Sequence, residues 1–292
     1  MSRRITATVA GGAALIAMIT TVALHAQNER ARAAWNRPQK PFKVFGNTYW
    51  VGTYALGSVL VTSTAGHILI DGGLPESVPQ IRDHIRELGF KVEDIKIILN
   101  THVHYDHAGG IAELQRLSGA RVAASAASAT VLKTGAADAD DPQYGLLDPF
   151  EAVPSVTVVR NGETLTVGPL RVTAHLTPGH TAGGTSWSWR SCEGTRCLDV
   201  VDADSLSPVS NDTFKYTTSP LLKQFDTSFA ILESLPCDIL LTPHTGFSPI
   251  LENLAAREAG NPNAFIDARA CKTYVGTMRA NLTKRLAVER GQ

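Results

Sequence analysis

Three histidines and one aspartate lie within six residues of this chain: His102, His104, Asp106 and His107. The apolar, β-branched run at 95–99 predicts a buried strand just before them, and the amphipathic run at 111–117 predicts a helix just after them. The cluster therefore occupies the loop at the carboxyl end of a strand, where open α/β sheets bind their ligands. Neutral imidazole and carboxylate are ordinary zinc ligands, so the spacing predicts a metal site.

The H-x-H-x-D-H pattern from His102 to His107, followed by Gly109 and Gly110, resembles the signature of the metallo-β-lactamase superfamily. The resemblance implies an α+β fold, a four-layer αββα sandwich that holds one or two metals between its sheets. The superfamily includes β-lactamases, glyoxalase II, lactonases, RNA-processing nucleases and flavodiiron proteins. The motif alone therefore does not select an activity.

Two later segments match further metal-binding positions of the superfamily. His180 follows the predicted strand 170–175, and His244 follows the predicted strand 239–241. The resemblance then implies a first zinc held by His102, His104 and His180, and a second held by Asp106, His107 and His244. Three protein ligands per ion leave a place open for water, as in catalytic zinc sites. With a shared hydroxide, such a centre carries a net positive charge, which favours an anionic substrate.

The rest of the chain, from about Trp35 to the C-terminus, is similar to the third subclass of class B β-lactamases. The run from His180 to Trp187 is similar to that group's GHTxGxTxW segment, and residues 203–207 are similar to its ADSLS segment. The first subclass has a cysteine ligand where this chain has Ser205. The second subclass replaces the first histidine of the motif, whereas His102 is retained.

This resemblance implies an exported β-lactamase with two Zn²⁺ ions per chain. A hydroxide shared by the zincs would attack the lactam carbonyl, and Asp106 would orient that hydroxide in addition to ligating zinc. Ser205 and Ser207 would bind the carboxylate of the β-lactam. The partner is thus a small anionic molecule.

Two other functions remain open at this stage. A glyoxalase II or lactonase would use a bridging aspartate, which Asp202 or Asp204 could supply. Alternation along residues 200–205 puts these two aspartates on one face and Ser205 on the other, and we expect the serine face to meet the metals. An exported metal-binding protein is the non-enzymatic alternative, although open metal positions are not typical of storage sites.

The composition is ordinary for a globular protein, with 43% hydrophobic and 18% charged residues in 292, and the formal net charge is zero. We expect residues 1–26 to be a signal peptide and 27–292 to form the metallo-β-lactamase domain, because Arg3 and Arg4 precede an uncharged apolar run that ends at Ala26. Their removal leaves 25 basic and 27 acidic residues, a charge of −2. We therefore expect a periplasmic or secreted monomer without nucleic-acid binding, and without stable membrane association unless the apolar run is retained as an anchor.

Cys192 and Cys197 flank a predicted hairpin tip, which leaves Cys237 to pair with Cys271. Export to an oxidising compartment favours these two disulfides. Zinc ligation by thiolates is the alternative, but the chain has no C-x-x-C spacing.

Two segments lack the periodicity of helices or strands. Residues 27–40, rich in Arg, Ala and Asn, predict a mobile N-terminal arm. Residues 134–155, rich in Asp, Pro and Gly, predict a long loop that is functional or mobile. Tyr144, Leu146, Leu147 and Phe150 of this loop either flank a substrate or only hold the loop down.

Overall fold

A computed structural model describes residues 29–292, and the predicted signal peptide lies outside the described residues. One sheet contains seven strands: β1 Phe42–Phe45, β2 Thr48–Trp50, β3 Val59–Val61, β4 His67–Ile70, β5 Ile95–Leu99, β6 Arg121–Ala124 and β7 Val156–Val158. The other contains five: β8 Thr164–Val167, β9 Leu170–Leu176, β10 Thr185–Glu193, β11 Arg196–Asp202 and β12 Ile239–Leu241. The α-helices are α1 (described over residues 29–35), α2 Val78–Glu87, α3 Tyr105–Ala108, α4 Ile111–Ser118, α5 Ala126–Thr134, α6 Leu221–Ser234, α7 Ile250–Glu258 and α8 Ala270–Glu289.

The strands are ordered β1 to β7 in the first sheet and β12-β11-β10-β9-β8 in the second. Strands β1 to β4 form an antiparallel meander, and β4 to β7 run parallel. In the second sheet only the β11–β12 pair is parallel. Strands of a parallel sheet that are covered on both faces are buried along their whole length. All four residues of β4, His67–Ile70, are accordingly buried.

The two sheets pack face to face around one apolar core. Trp50 and Val59 of the first sheet and Trp187 and Val200 of the second are among its buried residues. Helices α2, α4 and α5 cover the outer face of the first sheet. Helices α6 and α8 cover the outer face of the second. The predicted αββα sandwich is therefore confirmed.

The N-terminal arm differs from the mobile segment that its composition predicts. Residues 29–35 form helix α1, and Arg32 pairs with both Glu76 and Asp148 at 2.6 Å. The carbonyl of Trp35 accepts a hydrogen bond of 2.6 Å from the hydroxyl of Thr53. The prediction of a mobile arm rested on local composition. It could not take account of Glu76 and Asp148, which order the arm from 44 and 116 positions away in the sequence.

Within residues 29–292, the structure contains no helix that is both long and apolar enough to cross a membrane.

Both predicted disulfides are present. Cys192 and Cys197 join neighbouring positions of the β10–β11 hairpin, and Cys237 joins Cys271 at the start of α8. The sequence separations are 5 and 34 residues respectively. The alternative of zinc ligation by thiolates is therefore wrong for these four residues, since none is free.

We predict that the Cys237–Cys271 disulfide contributes more to stability than Cys192–Cys197, because it closes the longer loop in the unfolded chain. Replacing Cys237 and Cys271 by alanine should lower the free energy of unfolding by about 2–5 kcal/mol. Replacing Cys192 and Cys197 is the matched control and should cost less. Urea unfolding of both variants gives the two values, and equal losses would contradict the loop-length explanation.

Candidate metal centre

The candidate metal centre lies where strands from both sheets end along one rim. In the first sheet Ile70 pairs with Leu99, so Asp71 and Asn100 leave the sheet side by side. In the second sheet Asp202 pairs with Leu241 in the same way. A backbone hydrogen bond of 2.7 Å from Gly57 to Pro243 joins the two rims. The register of the strands thus brings the three histidine-bearing loops together.

Asp71 anchors the loop that carries the H-x-H-x-D-H pattern. Its carboxylate accepts hydrogen bonds from the Thr101 amide at 2.8 Å, the Thr101 hydroxyl at 2.5 Å and the Asn100 side-chain amide at 3.1 Å. Burial raises the pKa of Asp71 to about 7, and these three hydrogen bonds oppose the rise. Asp71 also has a φ of 60°, a backbone region that non-glycine residues rarely occupy and that persists only where the surroundings hold it.

Gly110 lets the chain after the metal loop pass close to the end of β4. A Cβ atom at this position would lie 2.3 Å from the carbonyl oxygen of Gly72. The Gly110 amide instead donates to Gly73 at 3.1 Å, and Gly72 donates to His107 at 2.9 Å. The glycine that follows the motif is therefore required for the close approach of these two loops.

The first candidate ligand group contains His102, His104 and His180, which are all buried. One ring nitrogen from each lies within 4.8 Å of the others. Burial and the neighbouring histidines hold the pKa of His102 well below its usual value. For the same reasons the pKa of His180 falls to about 3. The rings of His102 and His180 are therefore neutral near pH 7, the form that binds metal.

The second group contains Asp106, His107 and His244. The Nε2 atoms of His107 and His244 lie 3.0 Å apart, and Asp106 Oδ2 lies 3.2 Å and 3.3 Å from them. Burial alone would raise the pKa of Asp106, but the charge and hydrogen bonds of His107 and His244 outweigh it and hold the pKa well below its usual range. Asp106 is thus a carboxylate in a buried site.

The donor set of both groups fits a divalent cation. Two imidazole nitrogens at 3.0 Å repel each other through their lone pairs unless a proton or a cation lies between them. Nitrogen and carboxylate donors, three to a group, are the ligands of catalytic zinc sites. The six side chains that the sequence predicts as ligands are thus the six that the structure gathers into two groups.

Each histidine of the first group has a partner on its other ring nitrogen. His102 Nδ1 lies 2.8 Å from Asp204 Oδ1, and His180 Nδ1 lies 2.8 Å from the Ser207 carbonyl oxygen. His104 Nε2 lies 3.2 Å from Asp141 Oδ2. Such partners orient metal-binding rings and select the nitrogen that carries the proton.

The predicted alternation along residues 200–205 does not extend to the site. Strand β11 ends at Asp202, so Asp204 and Ser205 are not on opposite faces of a strand. Both are fully buried, with Asp204 against His102 and Ser205 lining the cavity. Neither Asp202 nor Asp204 belongs to a ligand group among the described residues.

A cavity of about 710 Å³ opens above both groups. Ser205 and Ser207 line it together with His102, Asp106 and other residues of the two groups. Its apolar walls come from the N-terminal arm, the 134–155 loop, and the loops after β11 and β12: Trp35, Leu146, Leu147, Val209 and Phe247. The size is typical of a small-molecule site.

The four apolar residues proposed for the 134–155 loop have different positions. Leu146 and Leu147 line the cavity, so the substrate-flanking alternative fits them. Phe150 is partly buried against two apolar clusters of the protein core, which agrees with the alternative that it holds the loop down. Tyr144 is half exposed and does not line the cavity.

Sequence reasoning missed the supporting contacts of Asp71, Asp141 and Asp204 and the position of Trp35 in the cavity wall. An aspartate that directly follows a buried strand, as in Ile70-Asp71-Gly72-Gly73, is a signal that could have pointed to Asp71. Asp141 and Trp35 have no comparable signal, because their partners are distant in sequence. His67, His84 and His175, which match no ligand position, lie outside both ligand groups.

Comparisons with known proteins agree with this geometry. The model of the metallo-beta-lactamase superfamily matches residues 57–193. The solved structure of Rm3 metallo-beta-lactamase is 50% identical, with a TM-score of 0.87 and coverage of 89% of this chain and 98% of that chain. The chain belongs to the metallo-beta-lactamase superfamily.

Within this superfamily, the chain is also similar to MEM-A1, a subclass B3 metallo-beta-lactamase from a soil metagenome library. The identity is 48%, the TM-score is 0.86, and 88% of this chain and 99% of that chain are covered. The predicted resemblance to the third subclass and to zinc-dependent hydrolases is thus confirmed.

A weaker match is a hydroxyacylglutathione hydrolase of Bradyrhizobium sp. (strain ORS 278), 29% identical over 168 residues. It covers 57% of this chain and 53% of the relative, so the chain spans about half the length of this curated relative.

The lowered histidine pKa values predict that acid destabilises the metal-free protein. Unfolded histidines bind protons below about pH 6.5, whereas the folded rings do so only at much lower pH, near 3 for His180. Their contribution to stability is therefore complete above about pH 6.5 and is lost as the pH falls below it. Each such group changes the free energy of unfolding by up to about 1.4 kcal/mol per pH unit.

Urea unfolding of the metal-free protein at pH 7.5 and pH 5 measures this loss. His180→Asn should lose less stability than the unchanged protein over this interval, because one titrating ring is gone. His84→Asn, a change outside both ligand groups, is the control and should lose as much as the unchanged protein. Identical losses in all three proteins would refute the prediction.

Proposed function

We propose that the protein is an exported β-lactamase that binds two zinc ions and hydrolyses the lactam amide of β-lactams. The observation that carries the proposal is the pair of three-residue ligand groups at the floor of a cavity that two serines line. The similarity to B3 metallo-beta-lactamases over nearly their whole length supports this activity.

The first group, His102, His104 and His180, would hold one zinc, and Asp106, His107 and His244 would hold the other. Zinc supplies Lewis acidity and lowers the pKa of bound water to near 7. The protein contributes six donors that are already in place, and His102, His180 and Asp106 among them are unprotonated near neutral pH. Asp106 remains ionised, so its carboxylate can both ligate zinc and orient the attacking oxygen.

The substrate carboxylate would bind at Ser205 and Ser207. The hydroxyl of Ser205 is buried, lines the cavity and has no hydrogen-bond partner among residues 29–292. An unsatisfied buried hydroxyl is costly, so a ligand oxygen that accepts a hydrogen bond from it would be bound favourably. Ser207 lines the cavity and contacts His180 Nδ1 with both its carbonyl oxygen, at 2.8 Å, and its hydroxyl, at 3.3 Å.

Export would place the protein in the periplasm or outside the cell. The basic and apolar character of residues 1–26 supports this location, as do two disulfides. Mass determination of the N-terminus of exported protein tests the proposed cleavage after Ala26.

A thioester hydrolase is the second candidate, which the similarity to a hydroxyacylglutathione hydrolase favours. A site of that type would require Asp202 or Asp204 to ligate the metals. The contact between Asp204 and His102 argues for a supporting role instead, because the carboxylate lies on the ring rather than among the ligand atoms.

We predict that the protein hydrolyses a chromogenic cephalosporin, that chelator abolishes turnover and that added zinc restores it. The reason is that the polar groups gathered on the cavity floor are metal donors. The same preparations should be assayed with a hydroxyacyl thioester. Metal-dependent turnover of the thioester alone would overturn the β-lactamase assignment in favour of the second candidate.

We predict that Ser205→Ala combined with Ser207→Ala raises KM for a β-lactam at least several-fold with a smaller effect on kcat. An anchor for the carboxylate binds ground state and transition state alike, so its loss mainly weakens binding. Zinc content should remain that of the unchanged protein. Ser210→Ala, in the same segment but outside the cavity lining, is the control. An unchanged KM in the double variant would exclude the anchoring role.

A further inference from the structure

His104 has partners on both of its ring nitrogens, and both come from the 134–155 loop. Asp141 lies 3.2 Å and 3.3 Å from Nε2 through its two carboxylate oxygens. The side-chain nitrogen of Gln143 lies 3.2 Å from Nδ1. The ring and the carboxylate are both buried, with exposed side-chain fractions of 3% and 8%.

These contacts fix the tautomer of the ring. A neutral imidazole carries one proton, and an ionised carboxylate can only accept a hydrogen bond. The side-chain nitrogen of Gln143 can only donate a hydrogen bond, so the ring nitrogen that faces it, Nδ1, must be the unprotonated one. The proton must therefore be on Nε2, which faces the Asp141 carboxylate. The single lone pair of Nδ1 can accept from the Gln143 side chain or bind a metal, but not both at once, so metal binding would replace the Gln143 contact.

The carboxylate is itself held in place. Asp141 Oδ1 accepts a hydrogen bond of 2.8 Å from the backbone amide of Gln143. The carbonyl of Pro142, between them, accepts one of 2.7 Å from the amide of Asn211, in the segment that follows β11. A turn anchored to a neighbouring segment thus presents Asp141 to the ring. The loop that forms a wall of the cavity is also the support of one candidate ligand.

We propose that Asp141 is a positioning residue that holds His104 with Nε2 protonated and Nδ1 as the metal-binding atom. This inference rests on the metal centre of the proposed function but is independent of the substrate. Among the described residues, His104 is the member of the first group whose support comes from the 134–155 loop, whereas the supports of His102 and His180 follow β11. Metal affinity of the first group is therefore set partly by this loop.

The test compares zinc affinity in loaded protein by equilibrium competition with a chromogenic chelator. Asp141→Ala should weaken one of the two zinc sites about 10–100-fold, the usual effect of losing a carboxylate partner of a metal-binding histidine. Asp141→Asn keeps an oxygen acceptor and should recover part of the loss. The matched control is Asp140→Ala, since Asp140 is the exposed neighbour in the same loop.

A second measurement separates positioning from general damage to the loop. Long-range ¹H–¹⁵N spectra of zinc-loaded protein should show His104 with a protonated Nε2, assigned by comparison with His104→Asn. That signal should persist in Asp140→Ala and Asp141→Asn, and broaden or exchange rapidly in Asp141→Ala. Wild-type affinity together with an unchanged Nε2 proton signal in Asp141→Ala would overturn the proposal.

If Asp141→Ala does not fold, the comparison of Asp141→Asn with Asp140→Asn decides. A several-fold loss of zinc affinity in Asp141→Asn alone supports the role of the carboxylate, and equal affinities refute it. Neither measurement uses a β-lactam. Failure of the proposed β-lactamase activity would therefore leave the affinity and ring-proton results intact, and the two failures are distinguishable.

Discussion

The structure depends on the cost of placing five imidazole rings and several carboxylates in one water-poor site. Buried polar groups are tolerated only when they are paired, and nitrogens that face each other at 3.0 Å are paired only when a proton or a cation lies between them. Each ring of the first group has a carboxylate or a carbonyl oxygen beside one nitrogen, which leaves the lone pair of the other nitrogen for a cation; in His104 a cation would replace the Gln143 contact. The site is thus arranged to gain stability from metal.

Three buried aspartates lie close to the candidate ligands. Asp71, Asp202 and Asp204 are buried together, and burial and mutual repulsion raise the pKa values of Asp202 and Asp204 well above the ordinary range for carboxyl groups. Asp71 also supports the metal loop through Thr101. Two cations above this layer would relieve the repulsion, since opposite charges at short range favour the ionised carboxylates.

The candidate metal ligands and the walls of the cavity come from different parts of the chain. Four of the six candidate ligands lie on loops that directly follow β5, β9 and β12, and the short helix α3, Tyr105–Ala108, carries the other two, Asp106 and His107. The walls of the cavity lie on longer segments, including α1 with Trp35 and the 134–155 loop. Strand ends thus fix the positions of the candidate ligands, while the segments that form the cavity walls are held by a few polar links such as Arg32 with Asp148.

The sequence by itself determined the four ligands His102, His104, Asp106 and His107 and the strand before them. Closely spaced histidines after an apolar run are a local pattern, and continuity of apolar residues is local too, so β5 and the ligands that follow it could be predicted. The resemblance to a known superfamily supplied His180, His244 and the sandwich, which the order of elements alone did not. Tertiary structure alone decided that Asp204 supports His102, that Asp141 supports His104 and that Arg32 orders the N-terminal arm. The partners in these three contacts are separated by 102, 37 and 116 positions along the chain. No local sequence pattern encodes such a contact, because it depends on how the two sheets and their loops pack.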